Sequence, residues 1–155
     1  MIPLLLQEDL KIRLLQEFNH FKLKNLTNDY APIKIFEQHL PNKGKEKEDP
    51  YPCIIIRLAD GSKTDPEEGN KTKVQFIIGV VDRNSNNQGY KDAVNVANRI
   101  TDNLERNPLI NDQYELGLPI NWAYHDEDAE PYFFVGIETN WKTPQILRED
   151  VGDLI

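Results

Sequence analysis

The chain has 155 residues, 39% of them hydrophobic and 28% charged, with 6 Phe, 6 Tyr and 2 Trp. That length fits one compact domain over residues 1–155, and the composition is too apolar for a disordered chain and too polar for a membrane protein. Eighteen basic against 26 acidic residues leave a formal charge of -8, which disfavours docking of the bulk surface onto nucleic-acid phosphate or anionic lipid, and the single Cys53 allows neither an intrachain disulfide nor a cysteine zinc site.

Met1 to Leu6 is apolar, but Gln7, Glu8 and Asp9 interrupt it before the 7 to 15 residues that a secretory signal core needs. No window approaches the ~18 apolar residues of a membrane span. The triplets at Asn25 and Asn70 match the glycosylation pattern, and without secretion they are chance matches.

Leu6, Leu10, Leu14, Leu15, Phe18 and Phe21 fall at helical spacing, so a first helix is predicted from Leu6 to about Leu23, with Asn25 to Pro32 stopping it. Ile33 and Ile35 open a short strand. Residues 41–52 hold three prolines, one glycine and six charges, a composition that predicts a flexible loop. The isoleucine-rich run Cys53 to Ala59 predicts a buried strand, and residues 60–72 a second flexible loop.

In Lys73 to Asp82, Val74, Phe76, Ile78 and Val80 point one way and Ile77 and Val81 the other, as expected of a central strand. This strand and the one before it read as the arms of a long antiparallel hairpin. Tyr90, Ala93, Val94, Ala97, Ile100 and Leu104 then predict a second helix ending at Arg106, where Asn107-Pro108 stops it. From Tyr114 to Tyr124 the apolar period is two, with Pro119 placing the strand at a sheet edge or in a bulge. Phe133, Val135, Ile137, Thr139 and Trp141 form the inward face of a last strand, and residues 145–155 read as a loose tail. The expected class is α+β: a mostly antiparallel sheet of four to five strands packed against an N-terminal and a central helix.

Candidate chemistry is sparse. Asp82, Asn84 and Asn86 alternate like the first ligands of a calcium loop, but Asn87 stands where the loop needs Gly and Ala93 where it needs Glu. Gly61-Ser62-Lys63-Thr64 lacks the glycines of a phosphate-binding loop. His20 and His39 have no nucleophile or carboxylate at interpretable spacing. His125 with Asp126, Glu127, Asp128 and Glu130 is the densest group of metal or acid/base ligands, and a metal-dependent nuclease would need such carboxylates together. A solvated turn explains the run better, because consecutive turn residues diverge. Neither catalytic residues, cofactor nor metal site emerges, and an enzyme is not expected.

Pro52 to Ile56, Val74 to Asp82, Asn87 to Asp92, Leu104 to Leu109, Leu116 to Trp122 and Pro131 to Trp141 resemble the tail terminator, or tail-completion, proteins of long-tailed bacteriophages and prophages, over about residues 51–144. The resemblance implies a tail-terminator-like fold in a homo-oligomeric ring, usually a hexamer. Such a ring sits at the head-proximal end of the tail tube, stops its polymerisation and joins it to the head connector. Its partners would be the tail-tube and head-closure proteins, with DNA passing through the lumen without specific binding. Its location would be the virion neck, after assembly in the bacterial cytoplasm. Another head-tail joining or head-closure accessory protein would fit the same phrases. Between Asp112 and Glu130 six acids and no base give -6 of the -8 charge, so Asp126, Glu127, Asp128 and Glu130 are expected on the channel or an open ring surface, where they repel phosphate.

Overall fold

A computed structural model describes residues 2–41, 49–65, 69–83, 88–125 and 131–143. Helix α1 (Ile2–Glu17) is followed by strands β1 (Lys22–Lys24), β2 (Tyr30–Pro32), β3 (Lys34–Glu37), β4 (Cys53–Ser62) and β5 (Lys71–Val81). Helix α2 (Gln88–Arg106) precedes β6 (Leu109–Ile110), β7 (Tyr114–Tyr124) and β8 (Tyr132–Lys142). The class is α+β as expected. The main sheet has six strands rather than four or five, in the order β3-β4-β5-β8-β7-β6, and every pairing is antiparallel except β3 with β4.

Helix α1 stops at Glu17, short of the expected Leu23. Phe18 and Phe21 keep helical spacing but lie in the turn that leads into β1, whose hairpin with β2 forms a separate two-stranded sheet. They still bury apolar surface: Phe18 and Phe21 meet edge to face at 5.6 Å, and the Arg99 guanidinium of α2 lies over both rings.

The hairpin β4–β5 runs further than apolar content predicts. Asp60, Gly61 and Ser62 pair with Lys73, Thr72 and Lys71 beyond a bulge at Leu58/Asp60, because the ladder is built from backbone groups that need no apolar side chain. In the other expected loop, residues 42–48 lie outside the described residues, whereas Asp49 is tied down. Its carboxylate accepts from the amides of Leu26 and Tyr51, and its carbonyl accepts from the Lys34 ammonium. Residues 145–155 also lie outside the described residues.

Both helices cover one face of the sheet. Leu6, Leu10 and Leu14 of α1 and Ala93, Val96, Ile100 and Leu104 of α2 join one buried cluster with Ile54, Ile56, Phe76, Ile78, Val135 and Ile137. The inward face read from β8 holds at all five positions, from Phe133 to Trp141. Of the two valines on α2, Val96 is fully buried, while Val94, expected on the core face, is only partly covered. At Pro119 the β7–β8 register shifts between Gly117 and Asn121, the bulge that a proline without an N–H donor favours.

Candidate assembly surface

The second face of the sheet carries neither helix nor strand among the described residues. Antiparallel pairing puts Ile55, Ile77, Gly136 and Ala123 in one row across β4, β5, β8 and β7. Ile55 and Ile77 remain partly exposed and Ala123 is exposed. A side chain added at Gly136 would meet nothing within 4 Å of its Cβ, so the row is a shallow apolar trough of about 420 Å³. It continues through Asn121 and Glu138 into a groove of about 530 Å³ that Lys71, Lys73 and Lys142 line. There Lys142 stands directly opposite Lys71, and Lys73 reaches Asp60 at 3.8 Å. Glu115 of β7 stands opposite Lys142 on its other side, so carboxylates accompany the lysines along this groove.

At the other end of this face Tyr51, Tyr132 and Phe134 pack together, with Tyr51 and Tyr132 centroids 5.0 Å apart. They bury Cys53, whose thiol burial pushes up to about 12. A thiol so held is protonated at neutral pH and is not a nucleophile. Burial likewise raises Tyr51 to about 12.

The sheet edge is also open. Strand β6 pairs only with Tyr114 and Glu115 of β7, so from Gly117 to Tyr124 the far side of β7 meets no strand among the described residues. This edge displays Leu118 at 84% and Trp122 at 64% exposure, large apolar side chains on an unpaired strand.

A third feature lies on the opposite side of the domain. While Leu6, Leu10 and Leu14 of α1 face the core, Leu4, Leu5, Ile12 and Leu15 are each about half exposed and share the outward stripe, with exposed Glu8 among them. An ordinary surface helix is polar there. The sequence carries a signal for this: leucines and isoleucine surround the whole helix rather than one side, and Leu15, expected on the buried stripe, faces outward.

Asp126, Glu127, Asp128 and Glu130 lie outside the described residues. Neighbouring His125 is exposed, its amide donates to the Phe134 carbonyl at 2.9 Å, and its ring meets the Phe134 edge at 6.1 Å. Of the calcium-like triad only Asp82 is described, and it is buried with its amide bonded to the Pro131 carbonyl. Gly61 and Ser62 belong to the β4 ladder, and His20 and His39 are exposed. Among the described residues no three His, Cys, Asp or Glu converge as metal ligands, and no helix is long and apolar enough to cross a membrane. No protein-family model and no curated protein matches the chain.

Proposed function

We propose that the chain is a tail-terminator (tail-completion) subunit that closes into a ring at the head-proximal end of a phage tail tube, stopping its growth and presenting a surface to the head connector. The observation that carries this reading is the pair of unpartnered apolar surfaces on opposite sides of a two-layer domain: the α1 stripe on one side and the open sheet face on the other, with the β7 edge, whose Trp122 reaches the α2 side, between them. A monomer gains nothing from either, whereas a head-to-tail contact covers one with the other, and head-to-tail contacts generate closed rings when the rotation closes. The resemblance of residues 51–144 to tail terminators names the kind of ring. In this reading the acidic segment 126–130 belongs on the channel or an open ring surface, where its charge repels DNA phosphate.

The test is growth of the cognate tail-tube protein with and without this chain, followed by electron microscopy. Tubes that stop lengthening and carry a ring at one end support the reading. Tubes of unchanged length without rings contradict it, and binding to the head connector alone assigns the chain to head closure.

A further inference from the structure

We draw no further inference here: the strongest candidate, the open apolar trough on the sheet face between Ile77 and the β7 edge, carries nothing because no described residue shows what covers it, the lysines at its end being accompanied by Asp60 and Glu115 of their own sheet.

Discussion

Gly89 carries α2 so close to β8 that a Cβ built on it would lie 2.3 Å from the Phe133 ring and 2.9 Å from the Asp82 Cβ. No positive φ is involved; the glycine is needed for space. Gly89→Ala should therefore cost about 1–3 kcal/mol by overpacking, and Phe133→Ala about 3–5 kcal/mol by leaving a cavity. In the double variant the methyl enters space the ring vacated, so the sum should fall short of additive. Thermal and urea melts of the three variants measure the coupling; full additivity would mean that the two residues are not in contact.

Thr139 is fully buried, donates its hydroxyl to the Val74 carbonyl at 2.9 Å and accepts the Trp141 indole N–H at 2.8 Å. Thr139→Val keeps the shape and removes both bonds, orphaning a buried donor. The expected loss is about 1–3 kcal/mol, with a shift in tryptophan emission as the indole loses its partner. An unchanged melt would show that the pair does not hold β8 in place.

Cys53 provides a pH test. Its thiol ionises near 9.0 when unfolded and near 12 when folded, so the folded state binds the proton more tightly. Stability from this group is complete below pH 9 and is lost as pH rises from 9 to 12. Tyr51, raised from 10.0 to about 12, acts in the same direction. Cys53→Ala should flatten the alkaline decline, and the native thiol should resist a disulfide reagent at pH 8 until the protein is unfolded. Rapid labelling of the folded chain would place Cys53 outside the core.

Regular period makes much of the fold legible in the sequence. Alternation located β7 at Tyr114–Tyr124 and the inward side chains of β8, because a two-residue repeat has only one way to face a core. The parallel β3–β4 pair escaped, since Gln38 completes it by side-chain bonds to the Leu58 backbone that no periodicity encodes. Three-residue strands such as β1 and β2 are too short for a period. The apolar residues on both faces of β5 predict a central strand; it is central, and Ile77 on its second face looks onto the open trough. Apolarity on both sides there, and in α1, marks a second, exposed apolar surface.

Substitutions on the uncovered surfaces should separate assembly from folding. Trp122→Lys and Ile12→Lys alter side chains that are 64% and 55% exposed, so each should change stability by no more than ~0.5 kcal/mol while weakening self-association. A melt lowered by several degrees in either variant would mean that the residue supports its own subunit instead.

Sedimentation velocity of the wild-type chain over a wide concentration range tests the account most directly. Closure into a ring predicts one discrete species, several times the 18.0 kDa subunit, whose size stops increasing as concentration rises. A single 18.0 kDa species throughout, or polymers that lengthen without limit, would contradict it.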